Sequence, residues 1–155
     1  MRQLVVIDID PCPKPRLTQR DKIPRLQTPA AKRYFQWKQA FQLQLKKRSI
    51  KKIDHDGFVQ VEFHISVPNS WSKKKKLKMH GEAHRSRPDI DNLLKALLDS
   101  VYSEDAKIYS IKAKKIWSHV GRIIIKMPPQ LAGTHLNPVI NIDEHYSLPP
   151  ISERK

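Results

Sequence analysis

From Val59 to Val67 every second residue is apolar: Val59, Val61, Phe63, Ile65 and Val67 alternate with Gln60, Glu62, His64 and Ser66. A period of two belongs to a strand with one face buried and one wet, and a slip of one residue would turn every apolar side chain outward. Such a strand needs other strands beside it and a layer over its apolar face. Two helical periods supply that layer. Thr28-Pro29 reads as an N-cap followed by proline at the first helical position. The helix it opens is expected from about Ala30 to Lys47, with Tyr34, Trp37, Phe41 and Leu45 on one stripe. A second helix is expected from Ile90, where Ile90, Leu93, Leu94, Leu97, Leu98 and Val101 make a continuous apolar face.

The rest of the chain fits around these three segments. Leu4 to Ile9 has strand length and breaks at Pro11, Pro13 and Pro15, giving an extended basic loop that carries Lys14, Arg16, Arg20, Lys22 and Arg25. Asp56-Gly57 marks a turn. Pro68 to Arg87 has no apolar period and holds WSKKKKLK, so a mobile basic loop is expected there. Lys107 to Trp117 and Gly121 to Met127 read as strands around a turn at 118–121. The order β-α-β-α-β-β predicts an α+β domain, a small mixed β-sheet packed with two main helices, over residues 1–127. Residues 128–155 hold five of the twelve prolines and read as an irregular extension, strapped over the domain or a partner through Leu136, Val139, Ile140 and Ile142.

Charge narrows the partners. Thirty Lys plus Arg face fifteen Asp plus Glu, a formal charge of +15; the extension carries −1, so the first 127 residues carry +16. That balance points to a polyanion, most simply nucleic acid. Candidate phosphate contacts are Lys14, Arg16, Arg20, Lys73, Lys74, Lys75, Lys76, Arg85 and Arg87. No apolar run reaches the ~18 residues of a membrane span, and the start MRQLVVIDID has no signal-peptide cleavage region. Cys12, the single cysteine, can form neither an internal disulfide nor a cysteine-based zinc site, which fits a reducing cytoplasm. The seven histidines lack metal-ligand spacing, and with four glycines there is no phosphate-binding glycine loop. Trp37 belongs to a core stripe; Trp71 reads as packing before base stacking.

Five carboxylates nevertheless fall within Asp89, Asp91, Asp99, Glu104 and Asp105. Acids gathered there would repel a polyanion unless a divalent cation lay between them; Mg²⁺ takes one or two carboxylates and accepts phosphate oxygens besides. On a helix, Asp91, Lys95 and Asp99 stack on one face away from the leucines. Asp89 and Asp91 would diverge by ~200° if both were helical, so both reach one ion only if Asp89 stands before the first turn as a cap. The next strand could return Asp105 to them, and Lys95 could reach a phosphate. Ordinary capping and an ordinary i,i+4 pair explain the same spacing.

Arg87 to Asp99, RPDIDNLLKALLD, followed by Glu104-Asp105-Ala106-Lys107-Ile108, resembles the signature of RusA-type Holliday junction resolvases. Pro13-Lys14-Pro15-Arg16 and Thr28-Pro29 are also similar to phage and bacterial members. The resemblance covers about residues 5–127 and implies a homodimeric, Mg²⁺-dependent endonuclease, with Mn²⁺ as a substitute, that resolves four-way DNA junctions in recombination and repair. It assigns Asp89, Asp91 and Asp105 to metal binding and Lys95 to catalysis, with Asp99, Glu104 and Asn92 in support. It also implies a bacterial or phage-encoded protein acting at the nucleoid. The lysine-rich WSKKKKLKMHGEA and the segment after Met127 depart from the family pattern. A non-enzymatic basic nucleic-acid-binding protein explains the charge equally well but leaves the acids as caps. A nuclease preferring flaps or forks is the other alternative.

Overall fold

In the computed structural model, which describes residues 4–50 and 57–126, strand β2 (Phe58–Ser66) is central and paired on both sides. The other elements are β1 (Leu4–Ile7), α1 (Pro29–Lys47), α2 (Lys73–Met79), α3 (Ile90–Val101), β3 (Ser110–Ser118) and β4 (Arg122–Lys126). The sheet order is β1-β4-β2-β3. β3 runs parallel to β2, whereas β4 is antiparallel to both β2 and β1. The mixed α+β architecture expected from the periodicity is therefore present, with one further helix, α2.

Register explains the core. Val61 lies opposite Ile125 and Phe63 opposite Ile123, while Val5 and Ile7 face the same two isoleucines from β1. Against this layer α1 buries the four residues its spacing singled out, Tyr34, Trp37, Phe41 and Leu45, together with Ala31. The cap is as expected: Thr28 Oγ1 accepts the Ala31 amide at 3.2 Å, with Pro29 opening the helix. α3 buries Leu93 and Leu97, and also Ala96 and Ser100, so its inward face is centred one position away from the outer leucines. Each large apolar side chain so enclosed contributes roughly 1.5–3 kcal/mol.

Three segments differ from expectation. Residues 73–79 form a helix rather than a mobile loop, because Ser72 caps it, accepting the Lys75 amide at 3.3 Å, and Trp71 anchors its start against Trp117, ring centroids 4.8 Å apart. The loop after β1 is organised by Asp21, whose buried carboxylate accepts the Thr18 amide and hydroxyl, both at 2.8 Å, and the Thr28 amide at 3.0 Å. These bonds hold its pKa below the usual carboxylate range. The turn at 118–121 does not close a hairpin; it crosses the end of β2 and places β4 on the far side. That crossing needs Gly121, where a Cβ would lie 1.7 Å from Asp10 Oδ1. Asp56 and the extension 128–155, with its apolar anchors, lie outside the described residues.

Candidate active site

The segment before α3 is clamped from the sheet. Lys115, on β3, donates at 2.6 Å to the carbonyls of both Ser86 and Pro88, fixing the approach to Asp89. Asp89 is the N-cap residue of α3 in extended backbone (φ −72°, ψ 143°), yet its side chain makes no capping hydrogen bond. An aspartate whose purpose was capping would accept an amide of the first turn. Asp89 instead stays exposed, as does Asp91 one turn position on. Lys95 Nζ lies 3.2 Å from Asp91 Oδ2, as the i,i+4 spacing required. That bond, helped by the Asn92 amide, outweighs partial desolvation and keeps Asp91 ionised below the usual range.

Asn92 and Asp99 bind the N-terminal loop. The Lys14 amide donates to the Asn92 carbonyl at 2.9 Å, and Lys14 Nζ forms a close ion pair with Asp99. Lys14 is thereby engaged within the protein. Asp99, with Cys12, also bears on Tyr34, whose hydroxyl is pushed up to about 12, chiefly by burial. Glu104 and Asp105 are exposed in the connection after α3, where the Ile108 amide closes a turn on the Asp105 carbonyl at 2.9 Å. Tyr109 and Ser110 then donate to the Gly57 carbonyl, pinning this connection to the N-terminal ends of β2 and β3. Among the described residues no three His, Cys, Asp or Glu side chains form a group able to hold a metal ion. The donor chemistry, carboxylate oxygens only, is nevertheless that of a hard divalent cation.

The other basic candidates form open surface. Arg16, Arg20, Lys73, Lys74, Lys75, Arg85 and Arg87 are exposed and Lys76 is half-buried; none pairs with a carboxylate among the described residues.

A family model described as endodeoxyribonuclease RusA matches residues 8–128. The chain belongs to the RusA endodeoxyribonuclease family. Comparison with curated proteins and with solved structures finds no match. RusA-family enzymes are endonucleases acting on branched DNA junctions and generally depend on a divalent metal. No helix among the described residues is long and apolar enough to cross a membrane.

For a RusA-family chain, two features of this site escaped the sequence reading. The clamp by Lys115 was hidden because a lysine on the apolar face of β3 gives no sign of its target. The second is a cavity beside α2 with Trp71 and Trp117 in its walls; its only trace in the sequence is two tryptophans forty-six positions apart. Lys114, on the same strand as the clamp, is held 3.2 Å from Glu62.

Proposed function

We propose that the protein is a homodimeric, Mg²⁺-dependent endonuclease that resolves four-way DNA junctions by phosphodiester hydrolysis, with a role in recombination and repair in a bacterial or phage-encoded cytoplasmic setting. Asp89, Asp91 and Asp105 are the residues that would hold the cation. When bound, such an ion polarises a phosphate and lowers the pKa of water. Lys95, beside Asp91, lies one turn into α3, where it offsets negative charge on the reacting phosphate. Arg16, Arg20, Lys73, Lys74, Lys76, Arg85 and Arg87 hold the arms through phosphates, which favours shape over sequence. The observation that carries this reading, beside family membership, is the uncapped, exposed Asp89 next to an ionised Asp91 in a strongly cationic chain. The test is Asp91→Asn on a synthetic four-way junction with Mg²⁺: cleavage is lost while binding persists or tightens. Junctions bound but never nicked by the parent chain in Mg²⁺ or Mn²⁺ would instead establish a binding protein.

Dimerisation enters the chemistry through Asp105. α3 has twelve residues and is about 18 Å long; Asp89 precedes its first residue and Asp105 follows its last by four. Lys115 holds Pro88 at the C-terminal half of β3, whereas the connection after α3 is pinned to the Gly57 carbonyl at its N-terminal end, so Asp105 lies towards the end remote from Asp89. A two-fold dimer removes the difficulty if each site takes Asp89 and Asp91 from one copy and Asp105 from the other. Mixing Asp91→Asn and Asp105→Asn chains is then expected to restore nicking of one strand, since one site of each heterodimer is intact. Persistent inactivity of the mixture would place all three carboxylates in a single chain.

A further inference from the structure

The cavity between α2 and the C-terminal half of β3 has no part in the acidic site, yet it adjoins it. Its volume is about 630 Å³, within the range of small-ligand pockets. Trp71 and Trp117 line it, their ring centroids 4.8 Å apart at an interplanar angle of 56°. Trp117 is rigidly held. Its amide donates to the Glu82 carbonyl at 2.9 Å, its carbonyl accepts the Gly81 amide at 2.8 Å, and the buried His84 ring packs at 4.1 Å. Lys75, Lys78 and Arg85 surround the opening, all exposed and free of carboxylate partners among the described residues; Glu82 is the one acid in the lining. Lys75 Nζ covers the Trp71 ring at 4.1 Å. Trp71 is half-buried but Lys75 is exposed, and a cation over an indole at a solvent-open site is held weakly, so a flat ligand displaces it readily.

Two aromatic rings ringed by three cations suit a ligand with a π face and a negative charge, which is a nucleotide. In a chain whose charge already favours a nucleic-acid strand, that nucleotide belongs to the strand rather than to the solution pool. Its position supports this. Ser86 lines the cavity, and the Lys115 clamp that holds the Ser86 carbonyl also holds that of Pro88, immediately before Asp89.

We propose that this depression receives one unpaired base of the branched DNA, stacked on Trp71 in the place of the Lys75 ammonium and backed by Trp117, with the neighbouring phosphates on Lys75, Lys78 and Arg85. The inference rests on the branched-DNA reading above and adds how an unpaired branch-point nucleotide is gripped. Paired bases are stacked within the duplex and do not enter. The site thus distinguishes a branch from a plain duplex without reading sequence.

The test uses the full chain in EDTA with two duplexes, one carrying a single-base 2-aminopurine bulge and one fully paired. The bulged duplex is expected to bind more tightly, with its 2-aminopurine fluorescence quenched. Trp71→Leu should weaken bulge binding roughly 5- to 100-fold, a loss expected for one stacked base, and should weaken paired-duplex binding by a clearly smaller factor. Trp71→Phe should recover most of the loss, and Trp71→Leu should keep the parent helix content and a melting temperature within a few degrees of it; a loss of helix content that accounts for the weakening overturns the proposal. Equal affinity for both duplexes, or equal weakening of both by Trp71→Leu, overturns the proposal. So does Trp71-dependent binding of free 2-aminopurine deoxynucleotide as tight as that of the bulge, which would make this a mononucleotide site. Four-way-junction cleavage in Mg²⁺ is measured in parallel. Cleavage without bulge preference removes the base pocket alone; bulge preference without cleavage removes the nuclease reading alone.

Discussion

Glu62 offers the sharpest energetic test of how the sheet is held together. It projects from the middle of β2 on the face away from the helices, and its side chain is only 11% exposed. Lys126 Nζ lies 2.5 Å from it, Lys114 Nζ 3.2 Å and His64 Nε2 3.3 Å, so one carboxylate ties β2 to strands on both sides. Burial alone would raise its pKa; the hydrogen bonds from Lys126, His64 and Lys114 more than reverse that and bring it from 4.5 to about 2. Such a drop corresponds to on the order of 3 kcal/mol of folding free energy at neutral pH. Lys114 is 58% exposed, and solvent screening of its share reduces the figure to about 2 kcal/mol. The sign follows from proton uptake. The unfolded carboxyl binds protons more readily than the native one, so the stabilisation is complete above pH 4.5 and disappears as pH falls towards 2. Glu62→Gln should therefore lower the unfolding free energy by about 2 kcal/mol at pH 7, read by urea denaturation, and the gap to the parent chain should close between pH 4.5 and 2. A gap that stays constant across that interval, or no gap at pH 7, would refute the reasoning.

Lys115→Met removes the clamp on the Ser86 and Pro88 carbonyls and leaves the α3 core faces untouched. Junction cleavage is expected to fall at least about tenfold, while the melting temperature changes by only a few degrees; unchanged cleavage would show that the clamp does not position Asp89. Replacing Lys73, Lys74 and Lys76 together by Gln should make the log–log salt dependence of junction binding shallower by up to about 3, since each phosphate contact contributes about 0.9 to the slope. An unaltered slope would detach α2 from the DNA.

What the sequence made legible was whatever repeats along the chain. The α1 stripe and the β2 alternation each state which side is buried, and burial follows them closely, except that Glu62 is buried on the polar side and Ile65 only half-buried on the apolar one. The burial of Glu62 depends on which strands lie beside β2. Lys114 stands opposite it only in the parallel register with β3, and Lys126 reaches it only because β4 crosses to the other side. Neither fact has a periodic signature. The helix at 73–79 was missed for a related reason. It has no apolar stripe and buries no residue, so it depends on a serine cap and on an indole contact made across the fold. Asp21 was missed as well: Thr18-x-x-Asp21 is close to a capping-box pattern, and the Asp21 carboxylate accepts the Thr18 amide, but proline and basic residues around it made the stretch read as an extended loop.

The acidic site divides along the same line. Spacing within α3 correctly paired Asp91 with Lys95 and put Asp89 just outside the first turn. Local spacing says nothing of Asp105, whose position depends on which way α3 runs relative to the strands it connects. Because Lys115 holds the start of α3 at the C-terminal half of β3 and the Gly57 carbonyl holds the connection after α3 at the other end, the motif's two acidic halves sit towards opposite ends of one crossover. On the proposed dimeric reading, a contiguous stretch of sequence then describes two half-sites rather than one site. Two copies related by a two-fold axis can join those halves in pairs, giving two reactive centres, one for each of the opposed strands in a symmetric junction. On this view dimerisation is a requirement of the chemistry, which is why heterodimer complementation tests the mechanism as directly as any single substitution.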